Sequence, residues 1–377
     1  MQRVIRSDSA YTVLQQRLKY ANNFLTKPPT VFVENVPQWP NHLLEVIKPD
    51  AATLAYYADS NGSADLINAI CNREELTYEL LLTGDNVLIT NGALHGLSLI
   101  FRSIHQPDAV ALCHAPVITS IPALLRESGY CVSFFSTVQG EIDIATIWDQ
   151  CSPDVRLIYV NFPNNPTGEI CSEDTMRELV QLAEKRQVRL VVDLVYDSFI
   201  FDGRQLFSPF IFNDNWQYLY TVNSMSKNFG TPGLRIGWIV SDAKNIERLA
   251  GIMERECIAI CGSAQQQASH LFNLGNQPLV KKVFEGRRFV EQCLSSFPGI
   301  EFVSPAGGTQ FFVKFPIDDV EAFADYMLLE YGLVLTTTSN YVGAEGPFIR
   351  IPTGHPLATI KRACELLNEG LRTYSRS

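Results

Sequence analysis

The sequence contains a lysine in a setting that suits covalent chemistry. Lys227 lies in the segment SMSKNFG (224–230), directly after an apolar run that predicts a strand, and Arg235 follows eight residues later. A lysine amine can form an imine with an aldehyde and can then move protons beside the same carbon. This segment is therefore the strongest candidate for a catalytic centre.

Two further features complement such a lysine. Asp193 ends the apolar run 190–192, and a carboxylate in a buried position can pair with a positively charged group. The turn Gly92-Ala93-Leu94 connects a predicted strand to a predicted helix, so its free backbone N–H groups and the helix dipole can bind a dianion. The candidate site thus combines a lysine amine, a carboxylate and a turn that can bind an anion.

The elements that must position these residues alternate between strands and helices. Continuous apolar, β-branched runs interleaved with helical periodicity predict a mostly parallel sheet that is covered on both faces. Ligands of such sheets bind at the carboxyl ends of the strands. We predict helices at 93–103, at 121–127 and after Ser172, and strands at 87–90, 109–113, 131–136, 157–161, 190–192, 219–222 and 236–240.

The last third of the chain predicts a second, smaller α+β domain. Its strands are expected at 311–315 and 348–351, and its helices at 320–330 and 356–372. We expect residues 1–45 to form an N-terminal segment that contributes to the small domain. Residues 46–255 then form the large domain and 256–377 the small one, with the boundary inside a long connecting helix near 253–260.

Composition narrows the class of protein further. The chain has 377 residues, of which 46% are apolar and 19% charged, as in a globular enzyme with two lobes. A net charge of −10 argues against a nucleic-acid partner. Nine scattered cysteines without a metal-ligand spacing predict reduced thiols, no metal site and a cytoplasmic location. Neither a secretory signal nor a run long enough to span a membrane is found.

The motifs together resemble the fold-type I enzymes that use pyridoxal 5′-phosphate (PLP). S-x-S-K with its later arginine, Asn-Pro-Thr-Gly at 165–168, Asp193 with Tyr196, and Arg350 occur in the order and spacing of class I/II aminotransferases. The resemblance spans nearly the whole chain and includes histidinol-phosphate aminotransferases. It implies an aspartate-aminotransferase-like α/β fold, with a mostly parallel large-domain sheet and a smaller α+β C-terminal domain.

The resemblance also implies a role for each residue around the PLP ring. Lys227 would hold PLP as a Schiff base, and Asp193 would pair with the pyridine nitrogen. Tyr196 and Asn165 would hydrogen-bond the 3′-oxygen. Arg350 would hold the substrate α-carboxylate in a bidentate ion pair, with Asn165 beside it.

The remaining implied roles concern the phosphate and a partner subunit. Tyr57, in the segment YADSNG, resembles the tyrosine that reaches the phosphate of the neighbouring subunit. If so, the protein is a homodimer with a shared active site. The phosphate itself would be bound within one chain by Gly92, Ala93, Leu94, Ser224, Ser226 and Arg235.

One segment departs from the family pattern. The family has a Pro-x-aromatic sequence whose ring stacks on PLP, whereas this chain has Pro116-Val117-Ile118. Ile118 or Val117 can pack on the ring but supplies no aromatic stacking. Either His114 swings in or the cofactor is held in a less usual way.

Three functions fit these features. The first is an aminotransferase that exchanges the amino group between an amino acid and a keto acid. The second is a PLP-dependent elimination or cyclisation enzyme, similar to capreomycidine synthase, that acts on a hydroxylated arginine derivative. The third, a non-catalytic PLP-binding regulatory domain, is disfavoured because the chain has neither a helix-turn-helix nor a basic face.

Overall fold

The computed structural model describes residues 10–40, 43–44, 47–138 and 141–374. Residues 1–9, 41–42 and 45 of the predicted N-terminal segment, and 46 of the predicted large domain, therefore lie outside the described residues, as do 139–140 and 375–377. The strands in the described residues are β1 (Thr30–Val31), β2 (Val87–Thr90), β3 (Val110–Ala115), β4 (Val117–Ile118), β5 (Cys131–Val138), β6 (Glu141–Ile142), β7 (Val155–Asn161), β8 (Arg189–Asp193), β9 (Leu219–Ser224), β10 (Gly237–Ser241), β11 (Gln310–Lys314), β12 (Leu333–Val334), β13 (Thr336–Thr337), β14 (Tyr341–Val342) and β15 (Phe348–Pro352).

The helices lie between these strands and cover their faces. In the same residues they are α1 (Ala10–Phe24), α2 (Ala51–Ala55), α3 (Ala64–Tyr78), α4 (Ala93–Ile104), α5 (Ser120–Glu127), α6 (Ile144–Gln150), α7 (Glu173–Arg186), α8 (Met225–Asn228), α9 (Ala243–Cys257), α10 (Gly262–Leu274), α11 (Gln277–Leu294), α12 (Val320–Tyr331) and α13 (Leu357–Tyr374).

The main sheet has eight strands in the order β2-β10-β9-β8-β7-β3-β5-β6. The pairs β9·β8, β8·β7, β7·β3 and β3·β5 are parallel, whereas β10 and β6 pair antiparallel with their neighbours. Strands β2, β9 and β10 are buried along their full length, and β3, β7 and β8 are buried at all residues but one, as expected of a sheet with helices on both faces. The α/β class with a mostly parallel sheet is thus confirmed.

One predicted helix illustrates why the local sequence folds as it does. Helix α7 begins after Ser172, whose Oγ accepts a hydrogen bond from the Thr175 backbone N–H at 3.2 Å. Acidic residues occupy its first turn and basic residues its last turn, which complements the helix dipole. Ser172 therefore caps the helix that the sequence predicts after it.

A second hydrophobic core lies under a smaller antiparallel sheet of strands β11-β15-β13. Helices α11, α12 and α13 pack together around it. Strand β1 of the N-terminal segment pairs in parallel with β12, and Phe32 belongs to this second core. Part of the N-terminal segment thus packs with the smaller unit, whereas Trp39 packs in the core of the main sheet, and the assignment of residues 1–45 stays a prediction.

The prediction of one long connecting helix across 253–260 is wrong. Helix α9 ends at Cys257, Ile258 has a positive φ of 62°, and α10 begins only at Gly262. A left-handed φ on a β-branched residue breaks a helix, because its side chain crowds the backbone there. Leu271 and Leu279 still pack in the core of the main sheet, whereas Val290 and Leu294 pack in the second core.

The residues of α11 therefore pack first in the core of the main sheet and then in the second core. We propose that the division between the two units falls inside this helix and not at 255/256. None of the helices in the described ranges has the length and apolar character needed to cross a membrane.

Candidate active site

Lys227 lies where the main sheet ends, in the short helix α8 that follows β9. Its side chain is half-buried, and burial lowers the pKa of its amine to about 8. The positive charges of Arg350 and Arg235 lower the pKa further, and the negative charge of Glu34 opposes them. A fraction of the amine is therefore neutral, and able to accept a proton, near neutral pH.

A buried polar network fixes the chain on both sides of Lys227. Asp197 accepts hydrogen bonds from Asn228 Nδ2 at 2.6 Å and from Asn223 Nδ2 at 2.9 Å. It also pairs with Arg73 at 2.5 Å and accepts from the Tyr78 hydroxyl at 2.7 Å. The sequence analysis missed this network. An acid four residues after Asp193, with asparagines flanking the lysine segment, was its local signal.

Asp193 is the last residue of β8 and is buried. Burial raises the pKa of its carboxyl group to about 6, although hydrogen bonds from the Tyr159 hydroxyl (2.9 Å) and the Val195 N–H (3.2 Å) oppose the rise. A carboxylate held in this way gains by facing a protonated nitrogen, because a positive charge offsets the cost of burial.

Asn161 couples Asp193 to Asn165. It ends β7 directly beside Asp193 in the register of the two strands. Its Nδ2 donates to the Asp193 carbonyl at 2.9 Å, and its Oδ1 accepts from the Asn165 N–H at 2.8 Å. Sequence reasoning missed Asn161 too, although a polar residue at the end of an apolar strand could have indicated it.

Tyr196, Asn165 and Arg350 meet at the other side of the site. The Tyr196 hydroxyl accepts from Asn35 Nδ2 at 3.1 Å, and burial raises the pKa of this phenol. Asn165 Oδ1 accepts from Arg350 at 3.3 Å and from the Tyr341 hydroxyl at 3.4 Å. These bonds use the amide oxygen, so the Asn165 Nδ2 donor stays available to a ligand.

Arg350 is a buried cation without a carboxylate partner in the described part of the chain. It is 7% exposed and lies in the middle of β15, not at a strand end. Its guanidinium donates to the Val33 carbonyl and to Asn165, and its Nε has no hydrogen-bond partner. Because a buried guanidinium is costly without a counter-charge, this geometry favours an anionic ligand.

The phosphate side is built around two glycines. Gly92 precedes α4 with a positive φ of 76°, and a Cβ on it would lie 2.4 Å from Arg235 Nη2. A Cβ on Gly237 would lie 2.6 Å from the Gly92 carbonyl carbon and 2.8 Å from Ala93 N. Only glycine allows this approach of β10 to the turn. The first N–H groups of α4 thereby adjoin the exposed Arg235 side chain, which fits a dianion.

The other predicted phosphate ligands lie on the same edge. Ser224 ends β9 and pairs with Gly237, which in turn pairs with Thr90 at the end of β2. Ser224 is buried, Ser226 is half-buried, and Leu94 in the first turn of α4 is 49% exposed.

The segment that departs from the family pattern is short and partly accessible. Val117 is buried and Ile118 half-buried, and Ile118 pairs with Tyr341, the residue that contacts Asn165. His114 is fully buried, stacks on Phe135 with ring centres 5.5 Å apart, and has a pKa lowered to about 4 by burial. His114 therefore does not swing into the open site, and the contact of Ile118 with the ring stays a prediction.

Tyr57 does not approach the site within its own chain. Its side chain is 79% exposed, as is that of Tyr56, just beyond helix α2. The predicted contact with a second subunit thus stays a prediction.

The comparison with known proteins identifies the family. The model of the family "Aminotransferase class I and II" matches residues 20–367. The chain belongs to this family. It is 45% identical over 375 residues to an L-aspartate:5-guanidino-3-methyl-2-oxopentanoate transaminase of Pseudomonas syringae pv. syringae, covering 99% of this chain and 97% of that protein. It is 37% identical over 369 residues to the 3-methylarginine biosynthesis aminotransferase ArgM of Streptomyces arginensis, covering 97% and 98%.

Solved structures of this aminotransferase family confirm the fold. The aspartate aminotransferase of Thermotoga maritima superimposes with a TM-score of 0.85 at 22% identity, covering 99% of this chain and 100% of that chain. The maleate complex of the aspartate aminotransferase of Thermus thermophilus gives a TM-score of 0.81 at 22% identity, covering 97% of both chains. The aspartate-aminotransferase-like fold and the aminotransferase class of enzyme are thus both as predicted.

Proposed function

We propose that this aminotransferase uses PLP and transfers an amino group between L-aspartate and a 2-oxo acid that carries a guanidino group. The observation that carries the proposal is Arg350, a buried guanidinium that contacts Asn165 and has no carboxylate partner among the described residues. An α-carboxylate can accept two parallel hydrogen bonds from such a guanidinium and neutralise its charge.

The residues of the site fit PLP at each of its polar ends. Asp193 suits the ring nitrogen, and Asn165 Nδ2 with the Tyr196 hydroxyl suits the phenolic oxygen. The glycine-lined turn before α4, with Ser224, Ser226 and Arg235, suits the phosphate. When bound, PLP supplies an aldehyde that takes up the amine and a ring that withdraws electrons from the α-carbon.

The protein side chains then position and move protons. Asp193 keeps the ring nitrogen protonated, and its own pKa falls once the positive nitrogen lies beside it. Lys227, with its lowered pKa, would take the proton from the substrate α-carbon and return it to the former aldehyde carbon, which is joined to the α-carbon through the amino nitrogen. Arg350 holds the α-carboxylate so that the α-hydrogen points toward Lys227.

The substrate class rests on the two relatives. Both cover nearly the whole chain, and both have names that refer to an arginine-like skeleton. One of these names also states L-aspartate as the amino donor. Both names describe amino-group transfer, which favours this reaction over the elimination or cyclisation alternative and over a non-catalytic regulatory domain.

We further propose a homodimer in which Tyr57 reaches the phosphate site of the partner. The exposure of two adjacent tyrosines supports this, because large aromatic side chains in contact with water are typical of interfaces. A cytoplasmic location is also proposed, and the nine free cysteines support it.

Mass spectrometry separates these functions. Purified protein with PLP is incubated with 5-guanidino-3-methyl-2-oxopentanoate and L-aspartate labelled with 15N at the amino group. We expect the label in the guanidino amino acid and equal formation of oxaloacetate. No transfer of the label, together with loss of water or ring closure in a parallel incubation with a hydroxylated arginine, would instead support the cyclase.

A further inference from the structure

The substrate class raises a problem of charge in this site. Lys227, Arg235 and Arg350 all contribute positive charge, and the charges of Arg235 and Arg350 lower the pKa of Lys227. The buried acid Asp193 faces the place proposed for the ring nitrogen. A substrate with a guanidinium group would add another cation, and it needs a separate counter-charge to bind.

Glu34 lies in the segment that connects two groups of the site. The carbonyl of Val33, the residue before it, accepts a hydrogen bond from the Arg350 guanidinium. Nδ2 of Asn35, the residue after it, donates to the Tyr196 hydroxyl at 3.1 Å and to Gln310 Oε1 at 2.5 Å. Both neighbours are nearly fully buried, so the backbone of Glu34 is held between the carboxylate site and the phenolic-oxygen site.

The side chain of Glu34 is exposed and has no cation within ion-pair distance in the described residues. Its negative charge nevertheless changes the pKa of the Lys227 amine in the site. Among the charged groups that act on Lys227, Glu34 has the largest effect, and it raises the pKa of the amine against the effect of burial. Burial lowers the pKa of His355, and a hydrogen bond to the Glu34 backbone and then the Glu34 charge oppose this. Glu34 therefore combines an exposed, unpaired carboxylate with a backbone held by neighbours that contact Arg350 and Tyr196.

A second set of acids offers the rival assignment. A cleft of about 900 Å³ between the main sheet and the smaller unit is lined by Glu169, Glu301 and Glu345, among others. Glu169 already accepts hydrogen bonds from Thr137 and Thr167, and Glu301 pairs with Lys314 at 3.0 Å. Glu345 is exposed and is the natural comparison for Glu34.

We propose that Glu34 is the specificity residue that binds the guanidinium end of the substrate, opposite the α-carboxylate held by Arg350. This inference rests on the proposed function. A carboxylate and a guanidinium form a planar, two-bond pair that a neutral side chain cannot reproduce. Glu34 thereby selects a cationic side chain in a site whose other exposed charges are positive.

The test compares L-arginine with L-citrulline, in which a neutral urea of nearly the same shape replaces the guanidinium. Amino transfer to a 2-oxo acid is measured with the PLP-loaded wild type, Glu34→Gln and the matched control Glu345→Gln. We expect Glu34→Gln to lower the arginine-to-citrulline ratio of kcat/KM by about tenfold to a hundredfold. Glu345→Gln should keep the wild-type ratio, and Glu34→Asp should recover part of the loss.

The other outcomes distinguish a failure of the Glu34 assignment from a failure of the proposed function. A wild-type ratio in Glu34→Gln, with arginine still a good substrate, overturns the assignment of Glu34 and leaves the proposed function intact. A drop in Glu345→Gln alone transfers the role to the cleft and overturns the inference equally. A wild type that transfers the amino group of L-aspartate but rejects guanidino substrates overturns the proposed substrate class and Glu34's role with it.

Discussion

Asn228 Nδ2 donates a 2.6 Å hydrogen bond to Asp197, so the residue after Lys227 is fixed by an acid that does not touch the ligand space. Asn223, next to the phosphate-site residue Ser224, donates to the same carboxylate at 2.9 Å. One buried acid therefore fixes both ends of the short segment that carries Lys227 and the proposed phosphate ligands Ser224 and Ser226.

Asp197→Asn should weaken this arrangement with almost no change in volume. Its amide removes the charge that pairs with Arg73 and leaves that buried cation with Glu74 alone. We expect a loss of unfolding free energy of about 3–5 kcal/mol and a changed pH midpoint for Lys227. Urea denaturation and a pH titration measure the two effects.

The control is Asp202→Asn, since Asp202 also pairs with a buried arginine, Arg287, at 2.6 Å. It should lower stability without changing the midpoint of Lys227. The positioning role of Asp197 is refuted if both variants leave that midpoint where it is in the wild type.

Arg350→Lys tests the carboxylate site. Loss of the bidentate pair should cost about 2–5 kcal/mol of binding to the amino acid. L-arginine should therefore show a strongly raised KM, whereas agmatine, which lacks the carboxylate, should bind almost as in the wild type. Steady-state kinetics for L-arginine and competition by agmatine measure the two effects. Equal losses for both compounds would mean that Arg350 is structural.

The amine of Lys227 should titrate near pH 8 in the protein without PLP. Its pKa is lowered from the ordinary value of 10.5 to about 8, so the neutral amine is favoured by folding. The associated stability is present above about pH 10.5 and is lost as the pH falls through about 8. The rate at which the protein captures the PLP aldehyde should therefore rise through pH 8, which stopped-flow absorbance can follow.

The variant Glu34→Gln tests the direction in which Glu34 shifts the pKa of Lys227. Because Glu34 raises the pKa of Lys227, its removal should move the midpoint to lower pH. A midpoint that stays near 10.5 in the wild type would contradict the burial of the amine, and a midpoint unchanged in Glu34→Gln would place that carboxylate away from Lys227.

Tyr57 provides the test of the shared site. Lys227→Ala and Tyr57→Ala should each have little or no activity alone. When the two are mixed and allowed to exchange subunits, partial activity should return, because one of the two hybrid sites carries both wild-type residues. Light scattering should give the mass of a dimer. A monomer at assay concentration would refute the arrangement.

The sequence predicted the site residues near strand ends better than it predicted the buried residues that hold them in place. Asp193 and Lys227 could be found because an apolar run that ends in a polar residue marks the edge of a parallel sheet. Asp197 depends on Arg73 and Tyr78, more than a hundred residues earlier, and no local pattern announces such a contact. The break at Ile258 was missed for a related reason. No glycine or proline lies between 252 and 261 to indicate its positive φ of 62°.

At Ile118 the sequence identified a departure from the family pattern but could not show what replaces the missing ring. The sequence identified the missing aromatic ring, but it left His114 as a possible replacement. Only the packing of His114 against Phe135 and Phe162 removed that option, because a fully buried ring cannot also face an open site.

The most direct test of the account is the identity of the lysine that binds PLP. The PLP-loaded protein is reduced with borohydride, which makes the bond between the lysine nitrogen and the former aldehyde carbon permanent, and the digest is sequenced by mass spectrometry. We predict the modification at Lys227, and none in Lys227→Ala treated in the same way. A modification at any other lysine, with Lys227 unmodified, would contradict the proposed active site.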